Sequence, residues 1–316
     1  MHEPPRIKHF VLDAAARGDL YVARHASRAR LLGIALMCGA VIMFACLDTT
    51  AKYLGRHLDI MMIVWARYSF AFLLTLSVSN PVTRPGLMCS ARPVLQVARA
   101  AILLGSTILN FFALRYLRLD QVLAITFSTP IMVAALSGPV LGETIGWRRF
   151  AGIAAGFAGI VLVTRPGFGI VHPAAILAIL AAASYAFYFL ATRLLARHDA
   201  NDTTLFYSNF VGAVMMIPVV PFFWQTPSLA QVALLVMAGA LASFGHYLLI
   251  VAHRLAPASL LSSFIYSQLI WVIALGYLVF GDLPDGYTLA GAGVVIASGL
   301  YILHSERVRA ARGEKL

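Results

Sequence analysis

The chain has 316 residues, 60% of them hydrophobic and only 12% charged, with a formal net charge of +11. So apolar a composition excludes a soluble domain with a polar surface. The positive charge does not indicate a nucleic-acid partner, because the basic residues lie in short gaps between apolar runs and share no solvated face. Cys38, Cys46 and Cys89 form no CxxC or Cys/His cluster, so free thiols and no metal site are expected.

Residues 1–30 are polar, basic and Pro-containing and read as a cytoplasmic tail. A bilayer core takes about 20 apolar residues per helix. Runs of that kind predict helices over 31–54, 60–79, 94–115, 119–141, 148–165, 173–196, 203–222, 229–250, 256–280 and 287–304. The separators carry turn chemistry, as in Asn80-Pro81-Val82-Thr83-Arg84-Pro85-Gly86 and Gly281-Asp282-Leu283-Pro284-Asp285-Gly286. The expected fold class is therefore an all-α integral membrane protein with ten transmembrane helices and a basic tail at 306–316. Cytoplasmic termini place Arg84, Arg92, Arg99, Arg148, Arg149, Arg193, Arg197, Arg254 and both basic tails inside. Only Lys52, Arg56, Arg115, Arg118 and Arg165 then lie outside, and this bias selects the N-in, C-in orientation.

The chain also repeats itself. A shift of 139 residues lays Ile131–Glu143 on Ile270–Asp282 without a gap, Ala113 and Arg115 on Ala252 and Arg254, and Ser128 on Ser267. A shift of 141 lays Lys52, Arg56 and His57 on Arg193, Arg197 and His198. The units are 31–165 and 166–305, five predicted helices each. Five is odd, so the second unit must enter the membrane from the opposite side, the inverted-repeat plan of secondary transporters.

Three features carry a family resemblance: Phe112-Ala113-Leu114-Arg115-Tyr116-Leu117 leading into the fourth helix, Pro130 within that helix closed by Gly142-Glu143, and Trp65-Ala66-Arg67-Tyr68 in the second. With the duplication, the chain resembles the ten-helix, EamA-type branch of the drug/metabolite transporter superfamily. The second copy departs from the pattern, with Asp282 in place of Glu and Leu269 where Pro130 would fall. The resemblance implies a central cavity between the halves, alternating access, and a location in the bacterial inner membrane. It leaves the substrate open among amino acids, nucleotide derivatives, vitamins and other metabolites.

A charge inside the bilayer costs on the order of 3 kcal/mol, which makes an intramembrane ionisable group a functional candidate. Asp48 and Arg67 lie about 9 and 10 Å below the outer ends of their helices, so the two can meet. Asn110 and Thr126 fall at similar depth. Arg67 is the expected partner of a substrate carboxylate or phosphate, and Asp48 its counter-ion or a proton-coupling group; a structural ion pair is the plainer reading. Lys52, near a helix end, is expected to snorkel. His246 is expected to be merely solvated near the cytoplasmic end. Tyr185, Tyr188, Asn209, Tyr266, Gln268 and Trp271 are the polar or aromatic members of aliphatic helices and suit a cavity lining or interhelical bonding. Pro130 should kink the fourth helix beside Thr126, Ser128 and Thr129, whose hydroxyls could satisfy the freed carbonyl or face the substrate. The glycines of the fifth and tenth helices suit close packing, including between two copies of the chain as a homodimer.

The chain holds no Walker loop, GxSxG, HExxH or Rossmann fingerprint. No cofactor, ATP chemistry or enzymatic reaction is therefore expected, and the substrate site holds binding residues only. A membrane enzyme acting on lipid-linked substrates would need clustered acids, which Glu143, Asp282 and Asp285 do not form by spacing. A channel is disfavoured by the aromatic, amphipathic lining. The expectation is a gradient-driven transporter of a small organic solute.

Overall fold

The computed structural model describes residues 31–79, 81, 82, 84–129, 131–133, 136, 147–164, 172–195, 198–255 and 264–311. The tail 1–30, Pro130 and its kink, Gly142-Glu143, Arg165 and Arg197 lie outside them. Among the described residues all regular structure is helical. The helices are α1 (Leu31–Leu54), α2 (Ile60–Val78), α3 (Pro93–Tyr116), α4 (Leu119–Thr126), α5 (Trp147–Thr164), α6 (Ala175–Leu195), α7 (Asn201–Met216), α8 (Leu229–Leu255), α9 (Gln268–Phe280) and α10 (Gly286–Ala311). Five apolar stretches within them, at 31–54, 60–78, 93–116, 175–192 and 229–249, have the length and composition to cross a bilayer.

The ends of these helices follow from local chemistry. Asp59 caps α2 by accepting the Met61 N–H at 2.8 Å. Gly281 ends α9 at φ +74°, a conformation that only glycine adopts without strain. Its N–H reaches the Tyr277 carbonyl and that of Asp282 reaches Gly276, which closes the helix end. Asp285 then caps α10 through the Thr288 N–H at 2.7 Å.

Residues related by the 139-residue shift meet one another, as a two-fold relation between the halves requires. Phe127 and Tyr266 pack edge to face at 5.1 Å where α4 meets α9. On α5 and α10 a Cβ at Gly159 would lie 3.0 Å from the Gly291 carbonyl, while Ser298, the repeat mate of Gly159, donates to the Gly152 carbonyl. Gly159 of α5 is thereby packed against α10 within the chain, whereas a Cβ at Gly293 of α10 would meet nothing within 4 Å.

The repeat also shows in how two helices break. α4 ends at Thr126 and α9 begins only at Gln268. At the break the Ser128 hydroxyl donates to the Ile125 carbonyl and the Ser267 hydroxyl to the Phe264 carbonyl, both at 2.6 Å. Each serine thus takes the carbonyl three residues back, a local bond that competes with the helical ladder.

Candidate substrate site

Contacts between turns define the two ends of the bundle. At one end the Lys52 ammonium donates to the Leu117 carbonyl at 2.5 Å and lies 3.8 Å from the Asp282 carboxylate. The Asp59 N–H bonds the Gln225 side chain at 3.0 Å beside an edge-on Trp65–Trp224 pair. Lys52 does not snorkel: it is 8% exposed and ties α1 to the α3–α4 and α9–α10 turns. A buried ammonium needs acceptors, and a turn carbonyl and a carboxylate are nearer than open water.

At the other end, Asp199 in the α6–α7 turn accepts from the Ser90 hydroxyl (2.5 Å), the Ala91 N–H (2.8 Å) and Gln96 Nε2 (2.8 Å). Partial desolvation works against its charge, but these donors prevail and hold its carboxyl below the usual carboxylate range. Arg84–Asp202 at 2.6 Å and a bond from the Tyr207 hydroxyl to the Met88 carbonyl complete this latch.

Between the ends lies a group of polar side chains from α1, α2, α3 and α6. Arg67, 6% exposed, donates through Nη1 to Thr107 Oγ1 at 3.2 Å, and its guanidinium lies 4.6 Å from the Tyr68 ring centroid. Tyr68 shares a 2.9 Å hydrogen bond with the same threonine. Asn110, one turn along α3, donates to the Asp48 carboxylate at 3.4 Å. Tyr185 has Arg67, Tyr68, Asp48 and Ser106 as its polar neighbours. Asp48, Arg67 and Asn110, read at similar depth in the sequence, therefore lie in one group, and Tyr185, which depth did not single out, joins them.

The expected Asp48–Arg67 ion pair does not form, however: among the described residues no carboxylate lies within 4 Å of Arg67. Arg67 is turned toward α3, where Thr107 and two aromatic rings hold it, and its Nε–H is buried without a partner.

The other candidates fall elsewhere. Thr126 bonds its own helix at Val122 (2.8 Å), and Ser128 serves the break in α4. Tyr266 packs on Phe127, its buried hydroxyl unpartnered and against Gly299. Gln268 is buried one residue past the Ser267 break, whereas Trp271 is 41% exposed. Asn209 joins α7 to α2 through Thr75 at 3.0 Å. His246 is half-buried and edge-on to Phe44 of α1 at 5.1 Å, with both Arg67 and Arg99 in its electrostatic reach. It faces the interior and not bulk water.

Arg99 is the residue that sequence reasoning missed. Grouped with the cytoplasmic basics, it is instead 1% exposed, the largest fully buried side chain described. Its Nη1 donates to Thr192 of α6 (3.2 Å) and its Nη2 to the Thr204 carbonyl (2.8 Å) and Ser208 hydroxyl (2.5 Å) of α7. The Tyr188 ring lies 4.8 Å from its guanidinium. The position was readable: Arg99 is six residues into α3, about 9 Å from the helix end, as far in as Arg67 is from the opposite end.

A family model described as the EamA-like transporter family matches residues 31–165 and 172–303. The chain is 28% identical over 276 residues to an S-adenosylmethionine uptake transporter of Rickettsia bellii, covering 87% of this chain and 94% of that one. It is 27% identical over 292 residues to a riboflavin transporter of Rhizobium johnstonii, covering 88% and 93%. A crystal structure superposes with a TM-score of 0.61 at 17% identity, covering 92% of this chain and 99% of the other. That match speaks for the fold alone.

Proposed function

The chain belongs to the EamA-like transporter family; it is a multi-pass membrane transporter of small metabolites and not an enzyme, and on that footing we propose that it carries its substrate across a bacterial inner membrane by alternating access. Ten spans, entered with both termini in the cytoplasm, follow from the apolar runs and the charge bias. The Asp199 latch then closes the cytoplasmic end and the Lys52 contacts the outer end. The substrate sits at Arg67, Asp48, Asn110 and Tyr185, with Tyr68 and Phe111 offering aromatic faces beside the guanidinium.

The observation that carries this reading is the buried Arg67, held by a hydroxyl and two rings with no carboxylate in contact and an N–H left over. A buried guanidinium in that state is poised for a substrate carboxylate, phosphate or ring carbonyl. Asp48 on the facing helix suits a cationic or proton-donating group. Similarity to S-adenosylmethionine and riboflavin transporters supports a substrate in which a heteroaromatic ring is joined to a polar chain.

The test is uptake and counterflow of S-adenosylmethionine, riboflavin and a pooled metabolite library in proteoliposomes, with wild type, Arg67→Ala and Asp48→Asn. Accumulation of a solute by wild type and its loss in folded Arg67→Ala supports the site. Transport that both variants sustain in full moves the site elsewhere.

A further inference from the structure

Among the described residues Arg67 is not the only buried cation with no carboxylate within 4 Å. Among the described residues Arg99 also has no carboxylate within 4 Å, and its Nε–H is buried without a partner. Its three hydrogen bonds all go to neutral groups on α6 and α7. Among the described residues Asp48 is the single acid in the polar group at Arg67, against the two guanidinium groups of Arg67 and Arg99. Burying an uncompensated charge is expensive, and a monoanion in the path offsets that cost.

The partners of Arg99 also differ in kind from those of Arg67. Arg67 is anchored by Thr107, within its own repeat. Arg99 sits on the first repeat and bonds Thr192, Thr204 and Ser208 on the second. When the halves part, these three bonds break together and a planar fork of donors is bared beside the Tyr188 ring. Carboxylate and phosphate match that fork in two parallel hydrogen bonds. α6 and α7 wall the guanidinium in, so the occupant comes from the transport path.

We propose that Arg99 is a second anion-binding position of the path, which takes the carboxylate or phosphate of the substrate near the Asp199 end after Arg67 has held it in the opposite half. This rests on the alternating-access reading and narrows the substrate to one that bears an oxyanion.

Inorganic phosphate is the probe. Thermal unfolding of the detergent-purified full chain is followed with phosphate and with sodium chloride at equal ionic strength, since chloride cannot bridge the fork. At ten times its dissociation constant phosphate raises the midpoint of wild type by about 2–4 °C over chloride, and Arg99→Gln loses at least half of that rise. No rise in wild type, or an undiminished rise in Arg99→Gln, overturns the proposal.

Should Arg99→Gln not fold, Thr192→Val removes one competing partner and leaves the guanidinium. Its phosphate response must equal or exceed that of wild type, and a smaller one overturns the proposal as well. Counterflow in the same preparations separates the two failures. Transport without a phosphate response leaves the carrier standing and removes the Arg99 site; a phosphate response without transport does the reverse.

Discussion

Thr107→Val isolates the hydroxyl that holds Arg67, because the two side chains have nearly the same shape. Thr107 is 2% exposed and its Oγ1 takes part in three bonds: it accepts from Arg67, pairs with Tyr68 and donates to the Leu103 carbonyl. Losing a bond to a charged donor costs about 1.5–3 kcal/mol and a neutral one about 1 kcal/mol. With one charged and two neutral bonds lost, the variant should therefore lose about 3.5–5 kcal/mol of stability, read as a fall of about 7–20 °C in the unfolding midpoint at about 2–4 °C per kcal/mol. Arg67 then also points less well, and a misdirected guanidinium weakened by about 1.4 kcal/mol raises the apparent KM tenfold in proteoliposome uptake. Thr107→Ser keeps the hydroxyl and should stay within about threefold of wild type. If Thr107→Val moves its substrate with an unchanged KM, or if Thr107→Ser is equally impaired, the hydroxyl is not what positions Arg67.

Gly159→Leu forces a side chain to within 2.8 Å of Val295 and 3.0 Å of the Gly291 carbonyl, and should cost at least about 1–3 kcal/mol by overpacking. Gly293→Leu, where nothing lies within 4 Å, is the matched control; equal losses of thermal stability in both would refute the α5–α10 contact. Asp282→Asn leaves Lys52 its carbonyl partner and should cost no more than about 1 kcal/mol. Lys52→Ala, which removes a buried side chain and all its contacts, should cost more, and the reverse order in thermal unfolding would show that the carboxylate is the stronger anchor. The Asp199 carboxyl is held below its ordinary value, so the stability it lends the latch is present above about pH 4 and lost as pH falls through the depressed value. Transport that changes between pH 5 and 8 must then do so equally in Asp199→Asn; loss of that dependence in the variant would place the titration in the latch.

Much of this architecture is legible in the sequence because a bilayer imposes simple rules. Length, apolarity and turn residues located the helices to within a few residues for α1, α2, α3 and α8; the repeat offset aligned Ser128 with Ser267, but the breaks at both serines and the Phe127–Tyr266 contact were not read from it. Depth along a helix is also readable, and it brought Asp48, Arg67 and Asn110 together, while Tyr185 entered the group from the other repeat without any depth argument. The direction of a side chain is not. Arg67 turns to Thr107 and away from Asp48, Trp271 is exposed while Gln268 is buried, and His246 meets Phe44. Those choices depend on which helices become neighbours, and several of the neighbours come from the opposite repeat. Arg99 was lost for a related reason: counting every basic residue near a helix end toward the orientation signal treats a residue about 9 Å inside a helix as part of a loop.

The two buried arginines are held differently, and the difference bears on how a carrier with a single path can both bind and release. Arg67, Thr107 and Tyr68 lie within one repeat, so on the alternating-access proposal they would keep their mutual geometry when the halves move. A guanidinium that bridges the repeats cannot do so. Arg99 is satisfied by α6 and α7 in this structure, and on the alternating-access proposal it would be short of three partners once the Asp199 end opened. The substrate's anionic group thus competes with the closed latch for the same donors. On that proposal, binding at Arg99 would favour the open state, and release would let the hydroxyls of Thr192 and Ser208 return. A ligand shifts a conformational equilibrium only through its difference in affinity for the two states, and a bridging arginine supplies that difference where a fixed one does not.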